Sequence, residues 1–294
     1  MLTIAIDLPL PPDEALALAR SALGADGVRA EPAREGTRLV VERPAPDEEP
    51  RELIDWLAQE LVAAASSERA GDWQTDRRAR RPTGERARET YAEPLYHLPN
   101  FALLLETLAL GPEDELLEVG CGGGALLRRA LATGCGAAAI DHSREMVALT
   151  REQNAAAVAD GRLELVVGDA HELPFASGRF TAAVSTGVFG FLADPELVLR
   201  EIRRTLREGG RLAVFGGTKE LRGTPAAPEP VASRITWYED DELAALARAA
   251  GFRAVEVTRP SLERYAREAG IPAEDLVLFS DRGPRASQLL VAAR

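Results

Sequence analysis

A glycine-rich turn near the middle of the chain has residue types and a spacing that are typical of a ligand-binding site. Residues 116–124 have the sequence LLEVGCGGG, an apolar run that ends in a turn rich in glycine. Glycine can adopt positive φ and lets a ligand approach the backbone without meeting a Cβ atom. A helix that starts directly after the turn would offer free N–H groups to a ligand. The pattern indicates a binding loop between a strand and a helix.

Two acidic residues follow further apolar runs at the spacing of successive strands. Asp141 ends the run AAAID, and Asp169 ends the run LELVVGD. A carboxylate at the first position can accept hydrogen bonds from both hydroxyls of a ribose. The second acid can accept from an exocyclic amine, while the N–H of Ala170 can meet a ring nitrogen. Together with the glycine turn, these residues describe a site for an adenosine group.

Two ligand classes compete for such a site. The dinucleotide fingerprint G-x-G-x-x-A can be aligned with Gly120, Gly122 and Ala125, with Asp141 as its ribose acid. Glu118 argues against a dinucleotide, because it places a charge where dinucleotide-binding strands usually carry an apolar residue.

The ordered motifs resemble those of the class I S-adenosylmethionine-dependent methyltransferases. Residues 118–124 look like the first motif of that family, and Asp141 looks like its ribose acid. Residues 168–170 with 173–175 look like the adenine motif, and residues 195–212 look like the family's helix, Gly-Gly turn and fifth strand. The resemblance covers most of residues 98–294 and implies S-adenosylmethionine as cofactor, with S-adenosylhomocysteine as product.

The resemblance also implies which residues bind the cofactor. They are Glu118, Gly120, Cys121, Gly122 and Gly124 at the methionine part, Asp141 at the ribose, His142, Met146, Asp169, Ala170 and His171 around the adenine, and Ser185 and Thr186 near the sulfonium and the acceptor. In this arrangement Glu118 engages the loop or, through water, the cofactor's amino group. We expect His171 to pack or stack beside the adenine acid, and Cys121 to be a small loop residue rather than a nucleophile.

The implied reaction is an in-line displacement on the sulfonium methyl group. Positioning can provide much of the rate, and a general base is needed only if the nucleophile arrives protonated. His97, Tyr96 and Tyr91 are the candidates for such a base, in the segment before the first motif. Phe189 and Phe191 are candidates for the walls of an apolar acceptor pocket, with core packing as the alternative.

Three functions are open at this level. The leading hypothesis is a methyltransferase for a small organic acceptor, similar to the branch that acts on quinones, sterols and natural products. The second is a protein that binds S-adenosylmethionine or S-adenosylhomocysteine without catalysis. The third is an RNA-modifying methyltransferase that contacts RNA through its N-terminal region. The formal net charge of −12 disfavours nucleic acid as a partner.

The amino-acid composition argues against a membrane protein, a disulfide-rich protein and a zinc protein. The 294 residues are 46% hydrophobic and 28% charged, and no apolar run approaches the ~20 residues of a membrane span. Met1 to Leu10 lacks a basic flank, so we expect no signal peptide and a cytoplasmic location. Two cysteines and three histidines are too few for a disulfide framework or a protein-built zinc site, so we expect no metal.

Alternating strand and helix patterns must position these residues. Strands are predicted at 115–119, 137–140, 163–167, 182–185, 211–215, 254–257 and 288–292, and helices at 124–133, 143–156, 195–208 and 240–250. A further helical segment at 91–110 is expected to be interrupted near Pro94 and Pro99. The alternation predicts an α/β fold, with a seven-stranded doubly wound Rossmann-like methyltransferase sheet and a ligand at the carboxyl ends of its strands.

The pattern of the N-terminal residues predicts a separate structural domain. Residues 1–70 have the pattern of a small α+β (β-α-β-β-α) domain, whose last helix begins near residue 49. The pattern resembles the small dimerising subunit of the KEOPS complex and, more distantly, the opening of a START-like domain, so we expect an accessory or homodimerisation role. Residues 71–97 are predicted to form an arginine-rich linker and a lid helix, and residues 98–294 the methyltransferase domain. The arginine run at 76–88 is interpreted as a solvated linker, with anion binding as the alternative.

Overall fold

The computed structural model describes residues 2–8, 10–23, 28–33, 36–43, 75, 79–82, 85–224, 227, 231–281 and 286–294. The chain divides into two compact units, Met1–Ala87 with Glu229–Arg234 and Arg88–Pro228 with Ile235–Arg294. The predicted helix near residue 49 and residues 76–78 and 83–84 of the arginine run lie outside the described residues. The predicted division into segments 1–70, 71–97 and 98–294 stays a prediction.

The first unit contains a three-stranded antiparallel sheet and a helix. Its elements are β1 (Leu2–Leu8), α1 (Pro12–Leu23), β2 (Val28–Ala33) and β3 (Gly36–Arg43), and the strand order is β1-β3-β2. Leu8 and Leu39 are fully buried on one face. On the other face, the Arg38 guanidinium binds Asp7 at 2.6 Å. The alternation of β1 therefore separates an apolar face from a charged one.

The second unit is built on a seven-stranded sheet with the order β6-β5-β4-β7-β8-β10-β9. The strands are β4 (Glu115–Val119), β5 (Gly136–Asp141), β6 (Leu163–Val167), β7 (Phe180–Thr186), β8 (Leu206–Gly217), β9 (Arg253–Thr258) and β10 (Ser287–Ala293). Strands β4 to β8 pair in parallel, whereas β10 runs antiparallel to both of its neighbours. This arrangement confirms the predicted Rossmann-like fold class.

Helices cover both faces of this sheet. The helices described from residue 85 onward are α2 (Glu85–Ala92), α3 (Leu98–Leu108), α4 (Ala125–Leu131), α5 (Arg144–Gln153), α6 (Ala155–Ala159), α7 (Pro195–Thr205), α8 (Asp240–Ala249) and α9 (Glu263–Glu268). Neighbouring residues of β4 point to opposite sides: Leu116 packs with α3 and α4, and Leu117 packs with α7 and α8. Both leucines are fully buried. Among the described residues, no helix combines the length and the apolar character that a bilayer span requires.

Local signals set several element ends. The Ser143 hydroxyl accepts a hydrogen bond from the N–H of Met146 at the start of α5, and the Asp194 carboxylate accepts one from the N–H of Leu197 at the start of α7. These are the N-cap contacts expected of serine and aspartate. Glu239 and Glu242 form a reciprocal capping box at the start of α8.

Three predicted boundaries were wrong. Pro94 interrupts the helical segment at 91–110, but Pro99 does not, because it lies in the first turn of α3, where its missing N–H has no intrahelical partner to lose. The helix predicted to reach residue 156 ends at Gln153, since Asn154 leaves the helical conformation. Strand β8 begins at Leu206, directly after α7, and its pairing with β7 shifts register before Arg211. A positive φ at Gly209 accommodates this irregularity.

Candidate functional site

The glycine turn lies at the carboxyl end of β4 and is tied to the next strand. Gly120, Gly122 and Gly124 have φ of 81°, 50° and 80°. The N–H of Gly120 donates to the carbonyl of Ile140 at 2.8 Å. These conformations favour glycine, so the backbone itself accounts for three of the four glycines in the turn.

Close packing explains why the turn excludes side chains. A Cβ atom on Gly120 would lie 2.2 Å from Cγ2 of Val188, and one on Gly123 would lie 2.2 Å from the carbonyl oxygen of Tyr91. Gly123 does not have positive φ, so its requirement comes from the approach of α2. Val188 and the backbone of Tyr91 were not predicted to contact the turn, because no local sequence signal marks either of them for this contact.

Helix α5 holds the carbonyl side of the turn. The Thr150 hydroxyl donates to the carbonyl of Gly122 at 2.7 Å, and the Asn154 side-chain amide donates to the carbonyl of Gly124 at 3.3 Å. In a planar trans peptide the N–H points opposite to the C=O, so the N–H of Gly123 faces away from α5. Neither residue was predicted for the site, although their spacing of four at the end of a helix is a usable signal.

Asp141 lies at the end of β5, beside the glycine turn. Its Oδ2 accepts a hydrogen bond from the N–H of Gly122 at 3.0 Å, and its Oδ1 accepts one from the N–H of Ser143 at 2.8 Å. Each carboxylate oxygen has a second lone pair. The side chain is half-buried, so it is fixed in direction while keeping acceptor capacity for a ligand.

Glu118 lies on β4, two residues before the turn, and is only 2% exposed. Its Oε2 has no hydrogen-bond partner among the described residues. Burial raises the pKa of Glu118 well above its usual range, and the charge of Asp141 raises it further. A buried carboxyl that lacks a partner fits a cationic or hydrogen-bond-donating ligand group.

The third acid, Asp169, follows β6 and is held by a neighbouring histidine. Its Oδ1 accepts from the backbone N–H of His171 at 2.9 Å and lies 2.6 Å from Nδ1 of the same residue. These two contacts lower the pKa of Asp169 below its ordinary value. The N–H of Gly168 donates to the carbonyl of Asp141 at 3.0 Å, which brings the backbone of the two acidic segments together. Ala170 is partly buried against the core.

The other predicted cofactor residues divide between buried and exposed positions. Ser185 is fully buried, and its hydroxyl donates to the carbonyl of Val119 at 2.8 Å. Met146 is also buried, whereas Thr186 is half-buried and His142 is exposed. The structure thus brings the acids and the glycine turn together. The Ser185 hydroxyl instead links β7 to the end of β4.

The Cys121 side chain is buried in the turn. Burial raises the pKa of its thiol well above the usual range, and the charges of Asp141 and Glu118 act in the same direction. A thiol in this environment stays protonated, which agrees with the expectation that Cys121 is a loop residue rather than a nucleophile.

The three candidate bases lie in different surroundings. The Tyr91 ring lies beside Gly122, and burial, with a contribution from the charge of Asp141, raises its pKa to about 12. The Tyr96 hydroxyl donates to Asp275 at 2.6 Å. The His97 ring stacks on Phe101 with a centroid distance of 6.3 Å. Tyr91 therefore belongs to the wall of the glycine turn.

The two predicted pocket phenylalanines differ in burial. Phe189 is 6% exposed and packs in the core with Val119, whereas Phe191 is half-buried. The segment at Ile235 covers their turn, because a Cβ atom on Gly190 would lie 2.3 Å from Cγ2 of Ile235. No group of three or more potential metal ligands occurs among the described residues.

Known proteins are similar in sequence to the part of the chain that contains this site. Residues 117–214 match the family described as "Methyltransferase domain". A 27-O-demethylrifamycin SV methyltransferase of Amycolatopsis mediterranei is 33% identical over 129 residues, which cover 44% of this chain and 47% of that protein. A ubiquinone/menaquinone biosynthesis C-methyltransferase of Cereibacter sphaeroides is 37% identical over 115 residues, which cover 38% of this chain and 46% of that protein. The chain spans less than half the length of these two curated relatives.

A solved structure shares the fold. A SAM-dependent methyltransferase from Aquifex aeolicus superposes with a TM-score of 0.53 at 18% identity, over 70% of this chain and 96% of that one. The likeness agrees with the strand order, in which the antiparallel β10 lies between β8 and β9. Residues 117–214, which contain the glycine turn, Asp141 and Asp169, therefore match a methyltransferase domain, and the sheet has the fold of a solved SAM-dependent methyltransferase.

Proposed function

We propose that this chain transfers a methyl group from S-adenosylmethionine to a small organic acceptor. The observation that carries the proposal is the anchoring of Asp141, whose two carboxylate oxygens are held by the N–H groups of Gly122 and Ser143. This contact places an acid with remaining acceptor capacity directly beside a turn that excludes side chains. A ribose with two adjacent hydroxyls fits such an acid.

The residues present fit the rest of the cofactor. Gly120, Cys121, Gly122 and Gly124 would border its methionine part, and the unpartnered Oε2 of Glu118 is available to its ammonium group. Asp169 and Ala170 would meet the adenine edge, with His142, Met146 and His171 around it. Ser185 and Thr186 would lie toward the reacting centre. When bound, S-adenosylmethionine supplies a methyl group on a positively charged sulfur.

The chain's own contribution is mainly orientation. Thr150 and Asn154 fix the glycine turn, and Asp141 fixes its N–H side, so donor and acceptor can be held in line before reaction. The thiol of Cys121 and the phenol of Tyr91 stay protonated at neutral pH, because their pKa values are raised. Neither group therefore takes a proton from the acceptor. The hydrogen bond to Asp275 raises the pKa of Tyr96, whereas burial lowers the pKa of His97 and so favours the neutral ring that a general base needs.

A small organic acceptor agrees with the character of the second unit. The segments after β8 and β9 contain Trp237, Tyr265 and Phe279, and Phe191 is partly accessible. Both curated relatives described above carry names of small-molecule methyltransferases. The acidic charge of −12 weighs against RNA as the acceptor. Homodimerisation through the N-terminal unit stays a prediction.

Binding and transfer can be tested in sequence. We expect calorimetry to detect binding of S-adenosylmethionine and no comparable binding of NAD. Methyl-labelled S-adenosylmethionine should then label an organic-solvent extract of small metabolites and leave purified RNA unlabelled. Preferred NAD binding would refute the cofactor assignment, labelling of RNA would favour the RNA-modifying alternative, and binding without transfer to any pool would favour the non-catalytic one.

A further inference from the structure

The His171 ring bridges two parts of the adenine side of the site. Its Nδ1 lies 2.6 Å from Oδ1 of Asp169, and its Nε2 accepts a hydrogen bond from the backbone N–H of Asp194 at 3.3 Å. Asp194 in turn caps helix α7. The histidine therefore connects the acid after β6 to the beginning of a helix that packs against the sheet.

These partners determine the tautomer of His171. A nitrogen that accepts from a backbone N–H carries no proton, so Nε2 is the bare nitrogen of the ring. The proton of the neutral ring is then on Nδ1, where it is donated to Asp169. The Asp194 amide thus makes the ring a donor on the side that faces the acid.

The bond from the ring matters because, among the described residues, the other hydrogen bond to the Asp169 carboxylate comes from the backbone N–H of His171 and falls on the same oxygen. The Asp169 side chain is 73% exposed, whereas that of His171 is 25% exposed. Both contacts from His171 fall on Oδ1, and no other described residue donates to Oδ2. The histidine thus holds one carboxylate oxygen and leaves the second one directed outward for a ligand.

We propose that His171 is a positioning residue for adenine recognition, which orients Asp169 toward the exocyclic amine of the cofactor. The inference rests on the proposed function, since it needs an adenosine ligand at Asp169. His171 itself makes no contact with the reacting atoms and acts through the acid. The expected contribution is that of one hydrogen bond to a charged group, about ten- to a hundredfold in affinity at most.

Two amide substitutions separate the two bonds of the ring. In His171→Asn the side-chain NH2 group can take the place of Nδ1 and keep the donation to Asp169. In His171→Gln the side-chain oxygen can take the place of Nε2 and keep only the bond from Asp194. We expect the Asn variant to bind S-adenosylhomocysteine within about threefold of the wild type, and the Gln variant to bind about tenfold more weakly.

A second ligand distinguishes positioning from general disruption. The analogue of S-adenosylhomocysteine without the exocyclic amine has nothing to donate to Asp169. We expect its affinity for the full chain to be unchanged between the wild type and both variants. Glu172→Gln, at the exposed neighbouring position, is the matched control and should change neither affinity.

The outcomes also separate this inference from the proposed function. If the wild type binds S-adenosylhomocysteine and the Asn and Gln variants bind it with equal affinity, the role of His171 is overturned. The proposed function is then unaffected. Loss of both ligands to the same extent also overturns that role, because the effect then does not depend on the exocyclic amine. Retention by the Gln variant with loss by the Asn variant does so too, because the effect then comes from the Asp194 bond. Failure of the wild type to bind S-adenosylhomocysteine at all overturns the proposed function and this inference with it. Thermal unfolding of each variant shows that the compared proteins are folded.

Discussion

Asp141 holds Gly122 in place: its Oδ2 accepts the hydrogen bond of the Gly122 N–H at 3.0 Å. The acid and the glycine turn come from different βα units, so this bond fixes two of the three segments of the proposed adenosine site relative to each other. The negative charge of Asp141 also contributes to the raised pKa values of Glu118, Cys121 and Tyr91. A positively charged ligand would therefore enter a site that is already short of positive charge.

Replacing Asp141 by alanine should abolish cofactor binding. The substitution removes the ribose acceptor and the anchor of the Gly122 N–H at the same time. Hydrogen bonds to a charged group contribute about 1.5–3 kcal/mol each, so a loss of two implies at least a hundredfold weaker binding in calorimetry. Asp160→Ala, at an exposed position after α6, is the control that should bind normally. Unchanged affinity in Asp141→Ala would refute the ribose assignment.

Glu118→Gln should stabilise the ligand-free protein and weaken binding of S-adenosylmethionine. The folded-state pKa of Glu118 is raised above the unfolded value, so its stability contribution is greatest below about pH 4 and is lost as pH rises through the folded-state pKa. Glutamine removes the cost of burying a charge, which we expect to raise the melting temperature at neutral pH by a few degrees, or ~1 kcal/mol.

The pH dependence gives this prediction a second readout. The stabilising effect of Glu118→Gln should grow between acidic and neutral pH in thermal unfolding experiments. The carboxyl of Glu118 releases its proton at lower pH in the unfolded wild type than in the folded one, and glutamine has no proton to release in either state. Conversely, an equal melting temperature at both pH values would show that Glu118 does not carry the expected burial cost. Weaker cofactor binding in the same variant is measured by calorimetry.

Gly123→Ala should destabilise the protein and impair cofactor binding. The new methyl group would lie 2.2 Å from the Tyr91 carbonyl oxygen, a backbone atom that cannot move aside as a side chain can. Overpacking of this kind costs about 1–3 kcal/mol, which chemical denaturation can measure. Gly111→Ala is a matched control, because no atom lies within 4 Å of its added Cβ and its φ is not positive. Equal stability of the two variants would show that α2 does not constrain the turn.

Tyr91→Phe should retain the shape of the pH–rate profile. The pKa of Tyr91 is about 12, so its hydroxyl stays protonated in the working range and cannot act as the base. Phenylalanine keeps the ring beside Gly122 and removes only the hydroxyl. We expect methyl transfer from labelled cofactor to show the same pH dependence between about pH 6 and 9. Loss of an ionisation from that profile in Tyr91→Phe would restore tyrosine as a candidate base.

Local sequence signals predicted much of the fold. Strands β4 and β6 have the bounds that their apolar runs indicate, and Ser143 and Asp194 cap helices α5 and α7 close to their predicted starts. The failures at Asn154 and Leu206 occurred where a side chain or a register shift changes the backbone locally. Propensity and periodicity carry no information about such adjustments.

The sequence by itself determined the order of the site: a glycine turn, then Asp141, then Asp169, each after an apolar run. Parallel strands place their carboxyl ends along one edge, so this order is enough to bring the segments together. Only the tertiary structure decided how each one is held. The Tyr91 carbonyl against Gly123, Val188 against Gly120, Thr150 on the turn and His171 on Asp169 depend on side-chain directions and on approaches between helices, strands and loops. Those distances are set by packing of the whole unit, which no short stretch of residues specifies.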